Sequence, residues 1–294
     1  DWFNAFAQFD PALQLPHGPD GSLIRGKIGL VLWHAEDGKT IIPVGITRHD
    51  TIPPEDPHGE SRFIFCYHPD YVDDPKTEAI SLSLPKRKEP YVADGDFTSF
   101  IPYFDNLVSD GPLGMAQRNA CHKLAGKHDE IGDLKTFNNC DTAKERYDRL
   151  LTFGRGLHGA ISVVDVAAPD DLLKSGDFET SLHNQSTIVG VQNKLPATTH
   201  GTGDARDGFI YKIPAREDDV TLIAKRQSGC NQRGILQNEA LALAATLMLL
   251  PEDITVGSTL GIWHPSHEDE AALFIKRFDR LPNGGRVHFE EALQ

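Results

Sequence analysis

The sequence predicts an α+β protein in which an N-terminal mixed α/β domain is followed by an antiparallel sheet with one main helix. Three observations support this class. Short runs of β-branched and aromatic residues, bounded by Gly, Pro and Asp, recur along the chain and are typical of strands. Helical periodicity is confined to a few segments. An alanine- and leucine-rich helix that opens at Asn238-Glu239 lies between two apolar strands near the end of the sequence.

We predict two domains, because a chain of 294 residues can bury more than one core. The first domain covers residues 1–168, of which residues 1–21 form an irregular lead-in. A polar stretch, residues 169–186, connects it to the second domain, residues 187–294.

Composition and charge narrow the class of protein. An apolar content of 39% and a charged content of 24% fit a soluble globular chain, and no apolar run reaches the roughly 18–20 residues that span a bilayer. The net charge of −14 argues against broad DNA binding by this chain alone. Its four cysteines are far apart and indicate a reducing cytoplasm. The basic triplet at residues 86–88 is a candidate patch, with a solvated loop as the alternative.

Strand signals dominate the first domain. Ile24 to Trp33 and Ile41 to Ile46 are predicted strands of a hairpin, because Glu36-Asp37-Gly38-Lys39 between them carries the Asp-Gly turn signal. Arg62 to Tyr67 is a predicted aromatic strand. Ala79 to Pro85 alternates apolar with polar residues, which predicts a half-buried strand.

Two helices are predicted after these strands. Leu113 to Ala125 has a helical pattern, and a second helix covers residues 142–153. Thr142 followed three residues later by Glu145 predicts a capping box at the start of the second helix. The glycines of the following segment, Gly154 to Gly159, are expected to end this helix and let it pack against a strand.

The stretch Thr187 to Lys194 is the first candidate functional segment. A β-branched run passes through Gly190 into polar residues, and glycine lets the backbone approach a bulky ligand closely. Successive backbone N–H groups in such a turn can bind phosphate oxygens, with Asn193 and Lys194 as further donors. The alternative is an ordinary hairpin with one glycine and one surface lysine.

A lysine and a glutamate further along the chain form a second candidate. Lys225 ends the apolar strand Val220 to Ala224, so its ammonium group can reach toward bound phosphates. Glu239, near the start of the helix, can hold that ammonium by an ion pair. The alternative is a surface lysine and a glutamate that is favoured by the helix dipole.

The order of these motifs carries a family resemblance. The strings GVQNK, LIAK, NE and FIKRFDR follow one another from Gly190 to Arg280 and resemble the HipA-type toxin kinases, which are serine/threonine kinases of bacterial toxin–antitoxin modules. Upstream, FCY at Phe65 to Tyr67, SLSLP at Ser81 to Pro85 and FDNL at Phe104 to Leu107 resemble that family's N-terminal domain. The resemblance implies that residues 187–294 adopt a protein-kinase-like N-lobe.

The resemblance also implies a nucleotide site with ATP and Mg²⁺ as cofactors. Backbone groups near the FIKRFDR strand exit would bind adenine, and its acidic residue would lie near the ribose. The implied ATP-binding residues are Val189, Gly190, Val191, Gln192, Asn193, Lys194, Lys225, Glu239, Lys276, Phe278 and Asp279.

Self-phosphorylation just before the loop is a further implication of the resemblance, at Ser186 or Thr187. The alternative for these two residues is that they satisfy local backbone donors. We assign no catalytic residue and no metal ligand to this chain, because the family's C-lobe would begin after Gln294. We therefore expect these 294 residues alone to transfer no phosphate.

The resemblance implies partners as well. We expect a helix-turn-helix antitoxin (HipB-like), operator DNA bound mainly through that antitoxin, and a protein substrate. The family-type substrate is a serine of an aminoacyl-tRNA synthetase. No membrane partner is expected, and the implied location is the cytoplasm. The rival hypothesis is a non-catalytic, kinase-like binding module that docks an antitoxin or another protein.

Overall fold

The structure is a computed structural model of the chain. It describes eleven stretches, namely residues 28–52, 60–96, 98–108, 111–124, 142–165, 194–199, 211–212, 222–226, 235–249, 259–263 and 272–289.

The described stretches contain strands in both halves of the chain, with helices between them. In chain order they are β1 (Ile28–His34), β2 (Ile41–Ile52), β3 (Glu60–Tyr67), α1 (Pro69–Asp73), β4 (Tyr91–Gly95), α2 (Pro102–Asn106), α3 (Gly111–Leu124), α4 (Ala143–Phe153), a 3₁₀ turn (Gly154–Gly156), β5 (Ile161–Asp165), β6 (Lys194–Thr199), β7 (Tyr211–Lys212), β8 (Leu222–Arg226), α5 (Ile235–Leu249), β9 (Thr259–Trp263) and β10 (Ala272–Lys276).

The first half is built on a five-stranded antiparallel sheet in the order β4-β3-β2-β1-β5. One face of this sheet carries a continuous core. Phe63 and Phe65 of β3 are fully buried there, and the ring of Phe63 meets those of Phe100 and Phe104 at 4.2 and 5.4 Å. Aromatic pairs at such distances add to the stabilisation from buried area. The predicted mixed α/β architecture of this half is confirmed.

Helix α4 is fixed to the sheet by a buried tyrosine. The hydroxyl of Tyr147 donates to the Thr47 carbonyl at 2.7 Å and accepts from the Gly29 N–H at 3.1 Å. Burial raises the pKa of Tyr147 well above its usual value, so the hydroxyl keeps its proton. These contacts hold α4 across β1 and β2.

The predicted caps of α4 are confirmed. The Thr142 side chain accepts from the Glu145 N–H at 3.2 Å, and the Glu145 carboxylate accepts from the Thr142 N–H at 3.0 Å. Gly154 is the C-cap, and a Cβ there would lie 2.3 Å from the Val163 carbonyl oxygen. Glycine at this point therefore lets the end of the helix lie directly against β5.

The predicted strand over Ala79 to Pro85 is wrong, because these residues form turns. Tyr67 explains the difference. Its hydroxyl accepts from the Ile80 N–H at 3.1 Å and donates to the Leu84 carbonyl at 2.5 Å, so the segment curls around one phenol. Ile80 and Leu84 are buried while Leu82 is 93% exposed. The alternating pattern reflects this curl rather than a pleated strand.

The second half contains another five-stranded antiparallel sheet, in the order β7-β6-β8-β10-β9. Helix α5 packs on it through Leu236, which is buried against Leu273 of β10, with Ala240 and Ile275 beside them. The predicted α+β class is confirmed at this level.

The apolar face that the sequence predicts for α5 is only partly confirmed. Its members recur at helical spacing and are Leu236, Ala240, Leu243, Ala244 and Leu247. Leu236 is buried and Ala240 is partly buried, but Ala244 is exposed. From Ala240 onward apolar residues lie on nearly every side of the helix, so its sequence did not define a single buried face.

No helix in the described stretches is long and apolar enough to cross a membrane.

Candidate nucleotide-binding site

The candidate site is centred on Lys225, next to the last residue of β8, the central strand of the second sheet. The Lys225 Nζ contacts the Glu239 Oε1 of α5 in a close ion pair. The two side chains are 17% and 24% exposed, so the pair is accessible from one side. The helix that begins at Ile235 brings Glu239 to the strand because Leu236, three residues earlier, is anchored in the core.

Lys194 lies beside this pair in the backbone register. It is the first residue of β6 and is the Cα partner of Lys225 in the antiparallel β6–β8 ladder. The last residue of the predicted phosphate-binding stretch therefore adjoins the strand position that carries the ion pair. The other predicted loop residues, Val189, Gly190, Val191, Gln192 and Asn193, and the hydroxyl residues Ser186 and Thr187, lie outside the described residues.

The predicted adenine-binding exit is the end of β10. Lys276 is the last residue of that strand and is the Cα partner of Leu222, the first residue of β8. Phe278 follows in the chain, is 48% exposed, and its ring lies 4.8 Å from that of Phe289. Lys225 itself pairs with Leu273, so this exit lies beside the start of β8, three residues along that strand from Lys225.

Asp279 occupies a different environment from the one the resemblance implies. Its carboxylate accepts from Arg277 Nε and Nη2 at 2.9 and 2.6 Å, from Arg280 Nη1 at 2.8 Å and from the Gly159 N–H at 2.9 Å. Burial opposes the charge, but these donors outweigh it and hold the pKa of Asp279 well below its usual range. Because both oxygens are engaged, a ribose contact at Asp279 requires some of these bonds to break.

Comparison with known proteins bears on the first half of the chain. Residues 55–164 match the family described as the HipA N-terminal domain. We therefore use the name HipA N-terminal domain for the domain built on the first sheet, which this match covers from residue 55 onward. The matched segment begins ahead of β3 and ends within β5, so it includes α1 to α4. The family resemblance predicted from Phe65 to Tyr67, Ser81 to Pro85 and Phe104 to Leu107 is confirmed for this domain.

A curated relative extends the likeness beyond that domain. A protein of Sinorhizobium fredii named "Putative kinase Y4dM" is 29% identical over 255 residues, which cover 80% of this chain and 54% of the relative. The chain therefore spans about half the length of the curated relative that it matches.

Sequence reasoning missed a set of residues that join the second sheet to the HipA N-terminal domain. Arg280 donates to the carbonyls of Leu157 and Gly159 at 2.7 and 3.0 Å, and Arg286 donates to the carbonyl of Arg155 at 3.1 Å. These partners are more than 120 residues apart in the sequence, so no local pattern reveals them. The only sequence signal was the density of arginine in Arg277 to Arg286.

The basic triplet of the HipA N-terminal domain is engaged within its own loop. Lys86 donates to the Asp74 carbonyl at 2.7 Å, Lys88 pairs with Asp73 at 2.8 Å, and the Arg87 guanidinium lies 3.6 Å from the centre of the Tyr91 ring. These contacts favour the loop interpretation of residues 86–88 over a nucleic-acid patch.

Proposed function

We propose that this protein is a HipA-type serine/threonine kinase whose second sheet binds ATP with Mg²⁺. The observation that carries the proposal is the ion pair between Lys225 of the central strand and Glu239 of the packed helix. The HipA N-terminal domain and the kinase name of the relative support the same class.

The ion pair supplies what phosphoryl transfer requires of a protein, which is a fixed cation close to the phosphates. A lysine side chain alone is mobile and strongly hydrated. Glu239 restrains the Lys225 ammonium group without burying it, since both side chains remain partly exposed. Lys225 can therefore donate to a phosphate oxygen while Glu239 continues to orient it.

The remaining parts of the proposed site surround this pair. The stretch from Val189 to Lys194 would cover the phosphates with its backbone N–H groups, because β6 begins next to Lys225. Backbone groups between Lys276 and Phe278 would bind the adenine edge. Mg²⁺ would bridge the phosphate oxygens and neutralise their charge, and we assign none of its ligands to the described residues.

The proposed substrate is a serine of a protein, and the family-type candidate is an aminoacyl-tRNA synthetase. The proposed partner is a helix-turn-helix antitoxin that binds operator DNA for the pair. A net charge of −14 supports DNA binding by the antitoxin rather than by this chain, because a strongly acidic chain repels the DNA backbone. We propose a cytoplasmic location, in keeping with the free thiol of Cys66.

Self-phosphorylation at Ser186 or Thr187 is proposed to switch the kinase off. A phosphate there adds about −1.5 to −2 charges. It would compete for the loop N–H donors and repel the nucleotide. Replacing both residues by alanine should leave ATP binding intact and prevent self-inactivation. Mass spectrometry that finds inactive protein unmodified at both positions would contradict this assignment.

A transfer assay tests the proposed function. Because we expect residues 1–294 alone to transfer no phosphate, the assay uses the full-length gene product. Incubated with γ-labelled ATP and Mg²⁺, it should label a serine of itself or of an added synthetase, and Lys225→Ala should abolish the label. ATP binding without any transfer would favour the rival binding module. Unchanged transfer by Lys225→Ala would overturn the assignment of Lys225.

A further inference from the structure

The segment that follows β10 leaves the second sheet and packs on the HipA N-terminal domain. We call residues 277–289 the docking segment. Its first part is held by charge. The Asp279 carboxylate accepts from the Gly159 N–H, and the Arg280 guanidinium donates to the Gly159 carbonyl. Both backbone groups of this residue of the N-terminal domain are therefore bonded to the docking segment. Arg277 completes the ion pair from within the segment and is almost fully buried.

The second part of the docking segment is a turn that fits against the β1–β2 hairpin. The side-chain amide of Asn283 donates to the Glu36 carbonyl at 2.8 Å, and the Arg286 N–H donates to the Ala35 carbonyl at 3.3 Å. There is no room for side chains between the two turns. A Cβ at Gly285 would lie 2.0 Å from the Glu36 oxygen, and one at Gly38 would lie 2.2 Å from the Asn283 oxygen.

Aromatic rings continue the contact to the end of the segment. His288 lies 4.6 Å from the Trp33 ring, and Phe289 lies 5.2 Å from the His158 ring. Phe289 also contacts Phe278 at 4.8 Å. Phe278, the exposed residue at the exit of β10, therefore contacts Phe289, which in turn contacts His158 of the N-terminal domain.

We propose that the HipA N-terminal domain is a positioning element for the nucleotide, because the docking segment fixes the strand exit where adenine would bind. The inference rests on the proposed ATP site and adds a determinant of affinity outside the second sheet. Rigid placement of a binding group lowers the ordering cost of association. Loosening the dock should therefore weaken ATP binding although no residue that touches the nucleotide has changed.

Two adjacent glycines provide a matched pair of variants in the intact protein. Gly285→Ala drives a Cβ into the Glu36 carbonyl, so the turn must move away from the hairpin. Gly284→Ala strains the same turn, since φ is +84° there, but its Cβ meets nothing within 4 Å. Titration calorimetry should show ATP affinity reduced at least about fivefold in Gly285→Ala and unchanged in Gly284→Ala.

A second variant and a second readout make the test decisive. If Gly285→Ala does not fold, Asn283→Ala removes only the hydrogen bonds of an exposed side chain and should weaken ATP binding about twofold or more. By linkage, ATP must stabilise the docked arrangement by the same factor, so it should slow amide hydrogen exchange in the hairpin turn at residues 35–40.

The outcomes separate this inference from the proposed function. If the unaltered protein binds ATP, Lys225→Ala does not, and Gly285→Ala or its substitute binds as tightly as the unaltered protein, only the positioning role is overturned. The positioning role is also overturned if ATP does not change amide hydrogen exchange at residues 35–40. If the unaltered protein binds no ATP, both are overturned. Weakened binding in Gly285→Ala alone, with slowed exchange, supports both.

Discussion

Two ion-pair sites, one in the second sheet and one in the docking segment that follows it, differ in how they use charge. Lys225 and Glu239 form one contact between a strand and a helix, and both side chains are partly exposed. Asp279 is held by two guanidinium groups and a backbone N–H, and the Arg277–Asp279 pair is only 2% and 5% exposed. The first site keeps a cation available to a ligand, while the second encloses an anion completely.

The difference shows which charges serve binding and which serve assembly. The charged groups of a buried pair lose their hydration, and only their contacts with each other and with nearby donors replace it. Removing one partner therefore destabilises the fold strongly. A partly exposed pair has water as an alternative partner, so it can exchange a contact for a phosphate oxygen at small cost. Lys225 therefore suits a ligand site, and Asp279 suits the junction with the HipA N-terminal domain.

Asp279→Asn should give the largest loss of stability. The change removes the negative charge that Arg277 and Arg280 share while both guanidinium groups stay largely buried, and such losses cost about 3–5 kcal/mol. The matched control is Asp94→Asn, which breaks the exposed Arg62–Asp94 pair and should cost less than about 1 kcal/mol. Urea unfolding measures both. Equal losses in the two variants would remove the distinction between buried and exposed pairs.

The junction should also be sensitive to acid. His34 is hydrogen-bonded to Ser162, and burial, followed by repulsion from Arg286 and Arg280, lowers its pKa to about 3. In the unfolded chain histidine takes up a proton below about pH 6.5, whereas folded His34 stays neutral until about pH 3. Its contribution is therefore fully present above pH 6.5 and is lost as the pH falls below it.

Lowering the pH from 7.5 to 5 should cost about 1–2 kcal/mol through His34. His34→Asn should reduce this pH dependence by that amount, measured as the difference between urea unfolding free energies at the two pH values. An identical pH dependence in the variant would show that His34 is not the titrating group. His49, whose pKa burial lowers to about 4, would account for part of what remains.

Glu239→Gln should have the smallest effect on stability, within about 1 kcal/mol, because its ion pair is partly exposed. ATP affinity should fall nonetheless, since Lys225 loses the group that orients it, though less than in Lys225→Ala. Thr246→Ala, on the same helix, is the control and should leave affinity unchanged. Calorimetry that finds equal affinity in Glu239→Gln and the unaltered protein would refute the orienting role.

Local chemistry explains what the sequence could predict. The Asp-Gly turn before Lys39 is found, with Gly38 at φ +70° and the Asp37 carboxylate accepting from the Lys39 and Thr40 N–H groups. The capping box at Thr142 is likewise encoded within four residues. Lys225 and Glu239 were singled out through motif order, and their contact follows from the packing of α5 against β10.

Features that the sequence could not predict depend on contacts between residues that are far apart in the chain. The turns over Ala79 to Pro85 depend on the Tyr67 hydroxyl, which no pattern within that segment encodes. Asp279 stood in a motif that implied a ribose contact, yet its partners include Gly159, 120 residues earlier. The roles of Val189 to Asn193 stay predictions, because these residues lie outside the described stretches.

The central claim is that the exposed pair, and not the enclosed one, serves the nucleotide, and one calorimetric titration tests it most directly. ATP with Mg²⁺ is titrated into the intact protein, into Lys225→Ala and into Lys212→Ala, whose lysine lies on β7 of the same sheet. We predict no measurable binding by Lys225→Ala and unchanged affinity in Lys212→Ala. Equal affinity in Lys225→Ala and the unaltered protein would contradict the claim.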